Sequence, residues 1–161
     1  MAARAPHIHA AAYLLLRRGS SVLLGKRWGT GWMDGKYTLP AGHVDPGERI
    51  LQAAAREARE EIGVQILEED LTVQCMIHRR SGAREYMDFF CEARCWKGEI
   101  SNAEPHKCSE VGWFPIDNLP QDTLPFVRVG IERSLCSPQT GRLSSFIDFD
   151  RNPPKDPASG A

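Results

Sequence analysis

Residues 42–64 read GHVDPGERILQAAAREAREEIGV, and this stretch says most about the fold. Apolar side chains recur in it at helical spacing, which predicts an amphipathic helix with one buried stripe. The residues of that stripe are Leu51, Ala54, Ala55, Ala58 and Ile62. Pro46 and Gly47 mark the start of the helix, and Gly63 stands where a left-handed C-cap residue is expected.

Two glutamates of this helix are candidate metal ligands. At about 100° per residue, Glu57 and Glu61 lie side by side at one edge of the apolar stripe, whereas Glu60 lies further toward solvent. Like charges at this spacing repel by roughly 0.2–0.5 kcal/mol, so a cation is needed between them. Hard carboxylate oxygens select Mg²⁺ or Mn²⁺ over zinc. The alternative is a solvated acidic helix face. That alternative does not explain why Gly42, Glu48 and Arg56 fall in register with the glutamates.

The same stretch resembles the Nudix box, with the spacing G-x5-E-x7-R-E-U-x-E-E-x-G-U. The matching positions are Gly42, Glu48, Arg56, Glu57, Glu60, Glu61 and Gly63, while Ala58 fills an aliphatic position. The resemblance extends over residues 13–119 and includes VLLGKR, LPAGHV and NAEPHKCSEVGWFP. The last segment is similar to the MutT-like subgroup of nucleotide pyrophosphohydrolases. The resemblance implies the α/β class, a Nudix-type α/β/α sandwich with a mixed sheet.

The resemblance also implies roles for the box residues. Glu57 and Glu61 are primary Mg²⁺ ligands, with Mn²⁺ as a substitute, and Glu60 is a supporting ligand or a group near the base. The backbone carbonyl of Gly42 is a further ligand. Glu48 and Arg56 form a salt-bridging pair that holds the loop against the helix.

Glu104 is a candidate metal ligand outside the helix. It precedes a proline, which favours an extended backbone from which a carboxylate can project into a cleft. By resemblance, a glutamate in a comparable late loop reaches the metal cluster. Glu99 and Glu110 are the alternatives.

Phosphate and base contacts are predicted near the box. Arg27, Lys36 and His43 are candidates for phosphate binding, although each can equally be a solvated or backbone-bonded surface residue. Trp28 and Trp32 flank a glycine-rich loop, where stacking on a base is worth about 1–3 kcal/mol. Arg79 and Arg80 are expected in a turn and are weaker candidates.

Composition fits one domain over residues 1–150, followed by a proline-rich, polar and disordered tail at 151–161. The net charge of −1 gives no overall attraction to nucleic acid or to an anionic membrane. The apolar run at 10–16 is too short to span a bilayer. We therefore expect a small-molecule substrate, no stable nucleic-acid binding and no membrane partner; a homodimer stays open.

The five cysteines are odd in number and scattered, which suits reduced thiols in the cytoplasm. A zinc site can be imagined from Cys91, Cys95, His106 and Cys108, but the spacing matches no common zinc motif. Cys91 lies in an apolar run and is expected to be a buried free thiol.

Periodicity predicts the order of elements. Strands are expected at 8–17, 21–27, 37–41, 71–78, 85–96 and 111–115, with turns at 18–20 and 81–82. The first two strands are expected to form a hairpin. Loops cover 28–36 and 97–110, and a second helix covers 123–135.

Three functions fit these residues. The favoured one is Mg²⁺-dependent hydrolysis of a nucleoside triphosphate to the monophosphate and pyrophosphate, since bound metal neutralises phosphate charge and activates water. The second is hydrolysis of another linked diphosphate: a nucleoside diphosphate sugar, a dinucleotide or a prenyl diphosphate. The third is a nucleotide-binding Nudix module without catalysis, which has no need of three clustered carboxylates.

Overall fold

The larger sheet is mixed and places β1 (Ile8–Leu15) between β5 (Ala41–His43) and β7 (Arg84–Ala93). In the computed structural model, which describes residues 7–136 and 143–148, β6 (Leu71–Ser81) and β9 (Leu143–Asp148) follow β7. β1 pairs parallel with β7 and antiparallel with β5. β6 pairs antiparallel with β7 and parallel with β9.

The smaller sheet is arranged around β3 (Ser21–Arg27). This strand pairs antiparallel with β2 (Arg17–Arg18), β4 (Tyr37–Thr38) and β8 (Cys108–Pro115). The predicted single strand at 8–17 is therefore wrong, because the chain leaves the larger sheet at Leu16 and β2, not β1, forms the hairpin with β3. The predicted strand at 37–41 is likewise split at Leu39 and Pro40, since β4 and β5 belong to different sheets.

Helices cover both faces of the larger sheet. Because side chains alternate along a strand, β1 contributes to two separate cores. Ala12, Leu14 and Leu16 pack with residues of α1 (Ile50–Ile62), whereas Ala11, Tyr13 and Leu15 pack with residues of α2 (Pro125–Cys136). The predicted α/β/α sandwich is confirmed. Gly63 caps α1 with φ 74°, in the left-handed region that was expected.

Several element ends differ from the prediction. β6 continues to Ser81, so Arg79 and Arg80 lie in a strand and the turn is at Gly82 and Ala83. β7 ends earlier than predicted, at Ala93, and β8 begins earlier, at Cys108. The predicted tail at 151–161 lies outside the described residues.

The described part of the chain contains no helix that is long and apolar enough to cross a bilayer. Cys91 is a buried free thiol, as expected, and Cys75 is also buried.

Candidate active site

The edge strand β5 presents its outer edge to the C-terminal half of α1. The N–H of Ala41 donates a hydrogen bond to Glu61 Oε2 at 3.0 Å. Gly42 is the register partner of Ala12 in β1, and antiparallel pairs alternate between bonded and non-bonded. The bonds on either side are Leu14 N–H to Pro40 O and Val44 N–H to Ala10 O, at 2.8 and 2.9 Å. The backbone polar groups of Gly42 are therefore directed at β1, and those of Ala41 are directed away from β1, toward Glu61.

Gly42 lies directly against the carboxylate of Glu57. A Cβ at residue 42 would overlap Glu57 Oε1 and Cδ and would stand only 2.9 Å from Oε2. The φ of Gly42 is not positive, so close approach and not backbone conformation requires glycine here. Glu57 is 9% exposed as a result of this packing.

Arg56 connects the loop before α1 to three carboxylates. It donates from Nε and Nη2 to the two oxygens of Glu48 at 2.9 and 3.1 Å, and from Nη1 to Glu57 at 2.6 Å and Glu60 at 3.2 Å. Its Nη2 also donates to the His43 carbonyl at 3.0 Å. The structure thus contains the loop-to-helix ion pair that the resemblance implies, and the same guanidinium orients Glu57.

The two inner carboxylates of the site, those of Glu57 and Glu61, carry negative charge that the protein's own cations only partly neutralise. Burial, together with the neighbouring charge of Glu57, raises the pKa of Glu61 to about 8. Burial also raises the pKa of Glu57, opposed by the Arg56 guanidinium. The pKa of Glu48 shifts in the opposite direction, because hydrogen bonds from Arg56 lower it. Glu60 is 46% exposed, as the helical spacing predicted.

Glu104 is brought to this cluster from the late loop. Its negative charge contributes to the raised pKa of both Glu57 and Glu61. Its Oε1 accepts a hydrogen bond from Lys107 Nζ at 2.8 Å. Glu110 instead accepts from the Tyr37 hydroxyl at 2.9 Å, and Glu99 is exposed on the surface.

These carboxylates fit a divalent cation by donor type, since they are hard oxygen ligands with unsatisfied negative charge. They do not form a closed cage. Among residues 7–136 and 143–148, no three His, Cys, Asp or Glu side chains are grouped at metal-binding distance. Arg56 and Lys107 each donate to one carboxylate oxygen, Oε1 of Glu57 and Oε1 of Glu104.

A cavity of about 630 Å³ extends from the carboxylates between the two sheets. Of the predicted substrate contacts, Arg27, His43 and Trp32 line it. Lys36 does not, because its Nζ is paired with Asp122 Oδ1 at 2.5 Å. Trp28 also does not line it and is 60% exposed. Substrate contacts by Lys36 and Trp28 stay predictions, and the cavity lining gives them no support.

Arg27 is held in place by the glycine-rich loop. Its Nε donates to the Trp32 carbonyl and its Nη2 to Thr30 Oγ1, both at 2.9 Å. Its guanidinium carbon lies 4.8 Å from the centre of the Trp32 ring. The Asp34 carboxylate accepts from the hydroxyl and N–H of Thr30 and from the N–H of Gly31, which closes the loop on itself. Arg27 and Trp32 are consequently preorganised at the cavity wall.

Sequence reasoning missed several residues that line the cavity, namely Tyr13, Arg84, Tyr86 and Lys107, and it placed the weaker candidate Arg79 in a turn. Most of them lie on β1, β6 and β7, and only the strand register brings them together. The signal that could have found Arg79 is a charged residue at an inward position of an apolar strand.

Comparisons with known proteins give a consistent result. A sequence model of the NUDIX domain matches residues 5–133. The chain is 32% identical over 115 residues to the NAD-capped RNA hydrolase NudC of Stutzerimonas stutzeri, covering 71% of this chain and 39% of that protein. It is 28% identical over 130 residues to the RNA pyrophosphohydrolase of a Wolbachia species from Brugia malayi, covering 70% and 78%.

The same likeness is found among solved structures. The MutT NUDIX hydrolase from Burkholderia pseudomallei superposes with a TM-score of 0.72 at 27% identity, covering 79% of this chain and 98% of that one. The chain spans about two fifths of the length of the NudC relative it matches.

Proposed function

The chain belongs to the NUDIX domain family, and from that membership we propose that it is a divalent-metal-dependent pyrophosphohydrolase that cleaves a diphosphate linkage in a nucleotide. The single observation that supports this most is the pair of carboxylates at one end of a 630 Å³ cavity, the buried Glu57 and the half-buried Glu61. Two such groups with raised pKa values, in a cleft and in contact with neighbouring charges, are typical of a functional site.

The proposed metal ligands are the carboxylates of Glu57, Glu61 and Glu104, with Glu60 as a supporting ligand or proton acceptor. The strand register favours the carbonyl of Ala41 over that of Gly42 as the backbone ligand, because Gly42 is directed at β1. When bound, Mg²⁺ supplies charge neutralisation and lowers the pKa of a coordinated water.

The protein's own cations complete the proposed mechanism. Arg27, fixed by Thr30 and Trp32, binds the phosphate oxygens that face the cavity. Glu104 would help to hold the divalent ion, and Lys107, whose ammonium donates to Glu104 Oε1 at the cavity wall, would stabilise negative charge on the phosphate that leaves. Arg56 acts as a positioning residue, since it holds Glu57 and does not line the cavity.

We propose a nucleoside triphosphate as substrate, cleaved between the α and β phosphorus atoms to give the monophosphate and pyrophosphate. A dinucleotide, or the same linkage at the 5′ end of an RNA, is the second candidate, because curated relatives are named NAD-capped RNA hydrolase and RNA pyrophosphohydrolase. A cytoplasmic location stays a prediction.

The test is a substrate panel incubated with Mg²⁺ in ¹⁸O-labelled water. Triphosphates, NAD⁺, ADP-ribose, a prenyl diphosphate and triphosphate- or NAD-capped RNA are compared, and products are separated by chromatography. The proposal predicts pyrophosphate and a monophosphate that contains the ¹⁸O. Label in pyrophosphate would place the attack on the β phosphorus, and exclusive cleavage of NAD⁺ or capped RNA would favour the second candidate.

A further inference from the structure

The cavity wall contains a buried guanidinium at a distance from the carboxylates. Arg79 lies on β6, which is the third strand from β5 in the larger sheet. At about 4.8 Å between neighbouring strands, β6 is roughly 14 Å from β5. Arg79 lines the cavity but is only 3% exposed. The rings of Tyr86 and Phe126 lie 4.1 and 4.2 Å from its guanidinium carbon, so aromatic rings pack against the guanidinium.

Asp88 fixes the orientation of this guanidinium. Arg79 donates from Nε to Asp88 Oδ2 at 2.6 Å and from Nη2 to Oδ1 at 3.4 Å, and Asp88 is fully buried. The register explains the contact, because Tyr86 is the cross-strand partner of Arg79 and Asp88 follows two residues later on the same face. The Nε–H and one N–H of Nη2 are thereby bonded to Asp88, and the remaining N–H groups, on Nη1 and Nη2, are those that can bind a ligand.

A buried ion pair is a weak source of stability, because desolvation offsets most of the attraction and apolar side chains of similar volume would pack as well. Because the ion pair lies in a cavity wall, ligand binding explains its presence better than a contribution to stability does. In the proposed function, the carboxylates, Arg27 and Lys107 bind the diphosphate group of the substrate. A nucleotide bound in this way directs its base toward another part of the same cavity.

We propose that Arg79, positioned by Asp88, recognises the nucleobase and selects guanine-type bases over adenine; this inference rests on the proposed function. A guanidinium presents two parallel N–H donors, which match the O6 and N7 acceptors of guanine. Adenine places its N6 amino donor where O6 stands, and two donors then face each other. Arg79 is accordingly a specificity-determining residue and Asp88 a positioning residue.

The test compares guanosine and adenosine nucleotides in the wild type and in Arg79→Met/Asp88→Asn. The double substitution removes both charges together, so neither is left buried and unpaired. We expect the wild type to prefer GTP to ATP in kcat/KM by roughly 5- to 150-fold, the range for one bidentate pair, and to treat ITP like GTP. In the double variant the ratio of kcat/KM for GTP to that for ATP should fall to within about twofold.

Arg80→Met is the matched control, because residue 80 alternates to the other face of β6, and its GTP preference should be unchanged. Binding of GMP and AMP, measured by calorimetry in chelator, separates this inference from the proposed hydrolysis. Tighter binding of GMP that is lost in the double variant supports base recognition even if no substrate is cleaved. Equal binding of both nucleotides, or an equal loss for both in the double variant, would overturn it, the latter because Arg79 would then contact phosphate.

Discussion

The Glu57 carboxylate lies so close to the Cα of Gly42 that a methyl group at residue 42 would occupy its position. We therefore expect Gly42→Ala to displace Glu57 and to lower kcat roughly 10- to 100-fold, since an ångström of misplacement has effects of that size. Circular dichroism should stay native, because β5 is a short edge strand. Gly112→Ala is the control, as its Cβ meets only the Phe114 ring at 3.4 Å. Equal activity in both variants would refute the close-approach argument.

The three helix glutamates should differ in their effect on turnover. Glu57→Gln and Glu61→Gln each remove a carboxylate charge that faces the cavity, and we expect kcat to fall about a hundredfold or more. Glu60→Gln should cost less, because its side chain is largely exposed. Steady-state rates with folded variants measure this ranking. Equal losses at all three positions would contradict the geometry of α1.

Glu104 and Glu110 form a matched pair in the same region of the chain. Glu104→Gln should weaken the dependence of the rate on Mg²⁺ and slow turnover, because its carboxylate lies beside the inner glutamates. Glu110→Gln should turn over normally, because that side chain is bonded to Tyr37 outside the cavity. The Mg²⁺ concentration for half-maximal rate and the melting temperature are measured for both. The reverse pattern would assign the role to Glu110.

Stability of the metal-free protein should depend on pH through Glu61. Its pKa rises from an ordinary 4.5 to about 8 on folding, so the folded state binds more protons than the unfolded chain between these values. The free energy of unfolding should therefore fall as pH rises from about 4.5 to 8. Urea titrations in chelator measure this slope.

Glu61→Gln should flatten that slope, because glutamine does not titrate. Mg²⁺ should restore stability in the upper part of the range by binding the ionised carboxylates, with release of protons. A slope that is unchanged in Glu61→Gln would mean that the pH dependence arises elsewhere.

Local sequence patterns were sufficient to predict α1 and the residues around it. The apolar spacing, the capping glycine and the outward position of Glu60 all follow from residues within one helix. The ion pair of Arg56 with Glu48 is also local, since only the first turns of α1 separate them. Such features depend on periodicity and on neighbours along the chain, which a sequence displays directly.

The opposite end of the cavity could not be predicted in this way. Tyr86 and Arg79 meet through the register of β6 and β7, and Phe126 reaches them from α2. The ion pair of Lys36 with Asp122 joins residues far apart in the chain and removes Lys36 from the cavity. Strand register and sheet switching, as at Leu16, are decided by tertiary packing, which the pattern of a single strand does not specify.

The central claim is that the carboxylates of Glu57 and Glu61 hold a divalent ion that drives hydrolysis of a nucleotide diphosphate linkage. The most direct measurement is the rate of pyrophosphate release from nucleoside triphosphates by wild type, Glu57→Gln and Glu61→Gln across a Mg²⁺ titration that starts in chelator. The account predicts no release in chelator, a saturable rise with Mg²⁺ in the wild type, and a rate about a hundredfold lower in both variants. Release by the wild type that is as fast in chelator as in Mg²⁺, or that is unchanged in both variants, would contradict it.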